Sequence, residues 1–207
     1  MRPEDFAARL HADKASAILR CPSEATARTA MESAIAGGFR VCEFTLTIPG
    51  AIGLIREFSH RGDLGVGAGT VLTVEEARAA VDAGARFLVS PVFDPLVVEE
   101  AQRLGVASIP GCATPTEMLA AHRAGATLLK LFPAQPPSWI AQTLGPMPFL
   151  RIVPTSGVTL ENCREHLSAG AFAVGFVNSL FVPSEVAAQD AAAIEARAQH
   201  MLTAVRR

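Results

Sequence analysis

Few residues in this chain have the type and setting to do chemistry. Only two of its 18 basic residues are lysines, Lys14 and Lys130. Lys130 interrupts an apolar run, Leu128-Leu129-Lys130-Leu131-Phe132-Pro133. An ammonium in such a run must be desolvated, paired or neutralised. Lowering a lysine pKa from about 10.4 to about 7.5 corresponds to roughly 4 kcal/mol in favour of the neutral amine. A neutral amine attacks carbonyl carbon and forms a Schiff base. Of the 20 acids, Glu43 alone falls inside a strand-like run, Val41-Cys42-Glu43-Phe44-Thr45-Leu46. Strand alternation places Val41, Glu43 and Thr45 on one face. With that face turned inward, Glu43 joins Lys130 as a proton carrier; the alternative is a structural ion pair. Small residues close three further runs: Gly69-Thr70, Pro154-Thr155-Ser156-Gly157 and Val177-Asn178-Ser179. These either bind an anion through backbone N–H groups or simply turn the chain.

Metal chemistry finds no support in the spacing. His11, His60, His122, His166 and His200 are scattered over helical segments and read as surface or helix-edge residues. Cys21, Cys42, Cys112 and Cys163 have no zinc spacing and read as small core hydrophobes. No metal and no organic cofactor is expected.

The elements that must position Lys130 and Glu43 show in the glycines. Gly38, Gly62, Gly84, Gly105, Gly125, Gly145 and Gly170 recur at intervals of roughly 20–25 residues, each after a helix-like segment. Eight apolar runs suit strands buried on both faces: Ser16–Cys21, Val41–Leu46, Leu64–Gly67, Phe87–Pro91, Ala107–Pro110, Leu128–Phe132, Arg151–Pro154 and Ala173–Val177. Helical spacing separates them, with capping signatures at Thr73-Val74-Glu75-Glu76 and Thr114-Pro115-Thr116-Glu117. Alternating strands and helices imply a parallel sheet, and eight units favour one (β/α)8 TIM barrel over residues 1–207. Residues 1–14 are then an extra N-terminal helix, and residues 184–206 a flanking one. An open doubly wound sheet is the rival; its glycine-rich turn has only a faint counterpart in Gly65-Val66-Gly67-Ala68-Gly69-Thr70.

Composition narrows the function classes. The 207 residues carry 18 Lys+Arg against 20 Asp+Glu, are 50% hydrophobic, and have a net charge of −2. That balance argues against nucleic acid or a membrane surface as partner and against disorder. No signal-peptide pattern opens the chain. The uncharged runs Leu131–Leu150 and His166–Ser184 are broken by prolines and glycines, so no membrane helix is expected. Cytoplasm is the expected location.

Six ordered motifs carry a resemblance over about residues 15–183. They are Val41-Cys42-Glu43-Phe44-Thr45-Leu46, Gly67-Ala68-Gly69-Thr70-Val71-Leu72, Phe87-Leu88-Val89-Ser90-Pro91, Ile109-Pro110-Gly111-Cys112-Ala113-Thr114-Pro115-Thr116-Glu117, Leu129-Lys130-Leu131-Phe132-Pro133-Ala134 and Pro154-Thr155-Ser156-Gly157. Together they resemble the 2-keto-3-deoxy-6-phosphogluconate (KDPG) and 4-hydroxy-2-oxoglutarate aldolases. The resemblance implies a class I aldolase that cleaves a 2-oxo-4-hydroxy acid to pyruvate and an aldehyde, with Lys130 forming the imine and Glu43 moving protons. It assigns Thr70, Pro91 and Phe132 to the pyruvate half and Arg20 to the substrate. Thr155, Ser156, Gly157, Asn178 and Ser179 fall where barrels of this kind bind phosphate. It also implies a homotrimer, whose other partner is the small 2-oxo acid. Three departures stand out: Thr47 replaces an arginine common in the family, Ser156-Gly157 replaces a glycine pair, and Val177-Asn178 replaces another before Ser179. Whether the substrate is phosphorylated therefore stays open. Two other readings are a phosphosugar isomerase or synthase barrel and a non-catalytic barrel that keeps the scaffold.

Overall fold

In the computed structural model, which describes residues 1–206, the apolar runs become parallel strands separated by helices. A curled six-stranded sheet holds β1 (Ala15–Leu19), β2 (Val41–Thr45), β3 (Gly65–Gly69), β4 (Phe87–Val89), β5 (Ala107–Ile109) and β9 (Val174–Phe176), in the order β5-β4-β3-β2-β1-β9. A three-stranded sheet holds β6 (Gly111–Cys112), β7 (Leu129–Leu131) and β8 (Ile152–Pro154). The crossovers are α2 (Glu24–Ala36), α3 (Ala51–Ser59), α4 (Val74–Asp82), α5 (Pro95–Arg103), α6 (Pro115–Arg123), α7 (Pro137–Leu144) and α8 (Cys163–Ser168). α1 (Pro3–Asp13) precedes them, and α9 (Pro183–Ala188) and α10 (Ala191–Arg206) follow. This is an α/β fold with the curl of a TIM barrel.

Two details differ from the expected single ring of eight strands. The fifth run is split into β5 and β6 at Pro110, which has no N–H to give to a ladder; its carbonyl still accepts from Lys130 N at 2.9 Å. On the other side, β8 and β9 are joined by one isolated parallel bridge, Thr155 to Gly175. The C-terminal segment also forms two helices rather than one. Gln189 takes a left-handed φ of 53°, and Asp190 then caps α10 by accepting from Ala193 N at 3.1 Å.

Local signals hold where they were strongest. Thr73 Oγ1 accepts from Glu76 N at 3.1 Å while Glu76 accepts from Thr73 N, and Thr114 and Glu117 repeat the arrangement. Gly38, Gly84, Gly105, Gly125 and Gly170 all take positive φ after helices, whereas Gly62 and Gly145 do not. All four cysteines are buried. His166 is a correction: it is buried at 2% exposure on α8, not on the surface, and its Nδ1 finds no partner among the described residues. No helix among them is long and apolar enough to cross a membrane.

The two faces of the curled sheet bury different cores. Cys42, Phe44, Val66 and Ala68 face outward and pack with helix residues such as Met31, Leu54 and Phe58. Inside the curl, Val41, Phe87, Val89, Ile109 and Val153 pack against Phe6 and Leu10 of α1. Phe6 stacks on Phe87 with ring centroids 4.4 Å apart. It also lies near Gly65, the first residue of β3, so α1 plugs the end of the curl where the strands begin. Phe6→Ala should destabilise the fold by about 3–4 kcal/mol, read as a lower urea midpoint at unchanged m-value. A shift below about 1 kcal/mol would mean that α1 is not part of the core.

Candidate active site

At the opposite end, where the strands finish, lies a cavity of about 460 Å³. β1 contributes Ile18 and, just beyond it, Arg20; β2 contributes Glu43 and Thr45. Lys130 and Phe132 reach it from β7, and the loops after β8 and β9 supply residues 155–159 and 177–179. Lys130 and Glu43 thus share one cavity. The register explains why: Glu43 pairs with Ile18 and Gly67, and Lys130 pairs with Gly111 and Val153. Alternation on β2 turns Val41, Glu43 and Thr45 inward, as the sequence pattern requires.

Lys130 is 7% exposed and Glu43 2% exposed. They form no salt bridge with each other among the described residues, and Glu43 Oε1 is buried without a hydrogen-bond partner. Burial holds the Lys130 amine below its ordinary value, opposed by the Glu43 charge and reinforced by Arg20. Burial pushes the Glu43 carboxyl up, opposed by Lys130 and Arg20. Desolvation therefore favours the neutral form of both groups. The Lys130 Nζ sits 4.9 Å from the centroid of the Phe132 ring, a weaker attraction that favours the charged form.

Another buried acid shows the contrast. Glu100 is 6% exposed, but Arg78 donates to it at 2.7 Å and Arg103 at 2.9 Å, and these bonds pull its carboxyl down to about 2. Glu100 is thus held by two arginines. Glu43 Oε1 has no such partner among the described residues, the setting of a group that handles protons.

The remaining predicted positions divide. Arg20, Phe132, Thr155, Ser156, Gly157, Asn178 and Ser179 all line the cavity. Thr70 does not; it meets the site through Arg20, which reaches its Oγ1 at 3.5 Å. Thr70 has φ of 59°, a left-handed conformation that costs a β-branched residue on the order of 1–3 kcal/mol. The bonds Leu46 N to Gly69 O at 2.8 Å and Val71 N to Val89 O at 3.0 Å hold it there. Pro91 is also absent from the cavity wall; its carbonyl lies against Gly111. Ser156 and Gly157 both take positive φ, 64° and 110°, and Ser179 Oγ donates to Val158 O at 2.7 Å. Thr47 turns its hydroxyl onto Thr45 Oγ1 at 2.8 Å.

The sequence pattern did not single out Ile18, Val158 and Thr159 as wall residues; Thr45 was placed only on the face of Glu43, and Val177 only in the segment before Asn178. Ile18 was open to the alternation argument, being two positions from Arg20. Val158 and Thr159 sit in a loop that carries no periodic signal. Among the described residues no three of His, Cys, Asp or Glu converge, so no donor set for a metal is assembled.

A desolvated amine and an unpaired acid at the strand ends of a curled parallel sheet form an arrangement suited to lysine-based carbonyl chemistry. Comparison with known proteins agrees. Residues 7–197 match the KDPG and KHG aldolase family. The chain is 38% identical to the 2-dehydro-3-deoxy-phosphogluconate aldolase of Treponema pallidum, over 83% of each chain. It is 36% identical to a probable 2-dehydro-3-deoxy-6-phosphogalactonate aldolase of Rhizobium meliloti, over 81% of each. The KDPG aldolase of Legionella pneumophila, solved with pyruvate captured as a covalent carbinolamine, superposes with a TM-score of 0.85 at 25% identity, covering 96% of this chain and 97% of that one. The chain belongs to the KDPG and KHG aldolase family.

The raised Glu43 pKa has a measurable sign. Below the ordinary carboxyl range both folded and unfolded states are protonated, so Glu43 has no effect on the balance. Above it the unfolded chain ionises while the folded one resists. Stability then falls as pH rises toward the folded pKa, by about 1.4 kcal/mol for every pH unit between the two pKa values. Glu43→Gln should therefore be more stable than the unmodified chain at pH 8 by a margin that vanishes near pH 4. Chemical unfolding at both pH values checks this; a pH-independent margin would contradict it.

Proposed function

We propose that the chain is a class I aldolase that reversibly cleaves a 2-oxo-4-hydroxy acid to pyruvate and an aldehyde through an imine on Lys130. The carrying observation is the buried amine without a salt bridge, opening on the same cavity as an unpaired acid. The neutral Lys130 nitrogen attacks the C2 carbonyl, and its proton passes to oxygen to give a carbinolamine. The Legionella protein was captured with the corresponding adduct of pyruvate, a covalent carbinolamine. Protonated Glu43 donates to the departing hydroxyl, which leaves as water, and a protonated imine remains. The Glu43 carboxylate then takes the C4 hydroxyl proton. The C3–C4 bond breaks, its electron pair flows into the imine to give an enamine, and the aldehyde is released. Glu43 returns the proton to C3, and water hydrolyses the imine to free pyruvate and amine.

In this reading Arg20, steadied by Thr70, holds the substrate carboxylate, and Phe132 packs on the pyruvate half. Thr155, Ser156, Gly157, Asn178 and Ser179 receive the aldehyde half. Pro91 keeps its family assignment only through the backbone beside Gly111. We take the two sheets, linked across Pro110 and the Thr155–Gly175 bridge, as one closed eight-stranded barrel forming a single domain. The enzyme would act in the cytoplasm, where its four free cysteines stay reduced. Family resemblance supports a homotrimer, and exposed Leu72, Val92 and Leu96 after β3 and β4 offer apolar surface for contacts between copies.

Borohydride added with pyruvate should fix a three-carbon acid on the Lys130 peptide, seen by mass spectrometry; Lys130→Met should show none. No adduct on the unmodified chain would overturn the imine mechanism. Glu43→Gln should lower pyruvate release by about 100-fold or more while still giving some trapped adduct. Pyruvate release from matched phosphorylated and unphosphorylated 2-oxo-4-hydroxy acids then identifies the aldehyde half, and release from none excludes the aldolase reading.

A further inference from the structure

The inner face of β3 carries no side chains. Alternation turns Gly65, Gly67 and Gly69 inward, while Val66 and Ala68 pack outward against the helices. Neighbouring strands use the space. A Cβ placed on Gly67 would fall 2.5 Å from two atoms of the Phe87 ring, which reaches across from β4. On Gly69 it would fall 2.8 Å from Cδ and 3.0 Å from Cγ of Glu43, and closer still to Oε1. Phe87, Glu43 and Lys130 also border one small void beneath the cavity. Gly67 and Gly69 do not owe their identity to the backbone, because neither has a positive φ. What glycine provides in β3 is room.

We propose that Gly69 is the positioning residue for Glu43: the missing side chain lets the carboxyl lie flat against β3, and this seat sets where its proton is delivered. The geometry supports a specific claim. Every atom nearest the added Cβ belongs to the Glu43 side chain, so an alanine there displaces the acid and little else. Glu43 Oε1 has no hydrogen bond to anchor it. Packing against β3 is then a main constraint on its place, and one methyl group in that space is enough to move it. Only the kinetic half of the test rests on the aldolase reading.

A double-mutant cycle decides the matter. In thermal unfolding, Gly69→Ala should lower Tm by about 3 °C or more when Glu43 is present. In a Glu43→Ala background the same change should cost less than about 1 °C, since the clash is gone. Equal penalties in both backgrounds overturn the proposal, and this arm needs no substrate. Should Gly69→Ala alone fail to fold, recovery of folding in Gly69→Ala/Glu43→Ala supports the seat, and failure of both overturns it. In pyruvate release, Gly69→Ala should lower kcat about 100-fold with KM within about threefold, and borohydride should still trap pyruvate on Lys130. Glu43→Asp, one methylene shorter, should slow the unmodified chain yet raise the rate of Gly69→Ala at least tenfold. A Gly69→Ala chain with full activity, or losses that simply multiply in Gly69→Ala/Glu43→Asp, overturns the assignment. If the unmodified chain releases no pyruvate at all, the aldolase reading falls and the thermal cycle alone judges the seat.

Discussion

The structure is organised around two ionisable groups removed from water without being paired. Lys130 and Glu43 each lose solvation, and neither regains it through a salt bridge. Desolvating such groups costs several kcal/mol per charge unless they become neutral, and burial here drives both toward neutrality. The fold must supply the difference from elsewhere. It does so with three apolar clusters, two under the helices and one inside the curl, drawing on runs of Val, Ile, Leu and Phe. The reactive pair is tolerable because so much else is well buried.

The same constraint explains the contrast between acids. Glu100 sits under two arginines and contributes to the packing of α4 against α5 and its surroundings. Glu43 has a flexible side chain in a wall of β-strands, held by contours rather than by bonds. Thr70 adds a strained backbone beside it, and the residues after β8 enter left-handed conformations in succession. Two of the four described non-glycine residues with positive φ, Thr70 and Ser156, thus lie at the strand ends beside the cavity, while the opposite end is filled by α1.

Much of this was legible in the amino-acid order because burial on both faces leaves a strong mark. Lys130 and Glu43 stood out as charges inside apolar runs, and alternation grouped Glu43 with Val41 and Thr45 on one face; that this face turns inward came from the structure. The threonine caps at Thr73 and Thr114 and five of the seven helix-ending glycines behaved as their local chemistry requires. What escaped was set by tertiary context. The break at Pro110 depends on a missing donor in a ladder whose partners are distant in sequence. The ladder of β3 runs two residues past the apolar run Leu64–Gly67, to the Gly69 that closes it, because Thr45 of β2 pairs with Gly69. His166 looked like a helix-edge residue because a six-residue helix gives too little periodicity to show which side faces in. Pro91 and Thr70 were placed by resemblance, and the cavity wall forms without them.

The helical plug formed by α1 has a kinetic corollary. Beneath the reactive nitrogen the remaining void is about 10 Å³, at the lower limit for a single water, and Phe6 and Leu10 close it from below. On the proposed imine mechanism, the bond to Lys130 keeps the three-carbon acid until the aldehyde has gone, so the acid leaves second and, run backwards, loads first. The stopper complements that sequence, leaving no room beneath the amine for either fragment to slip past it.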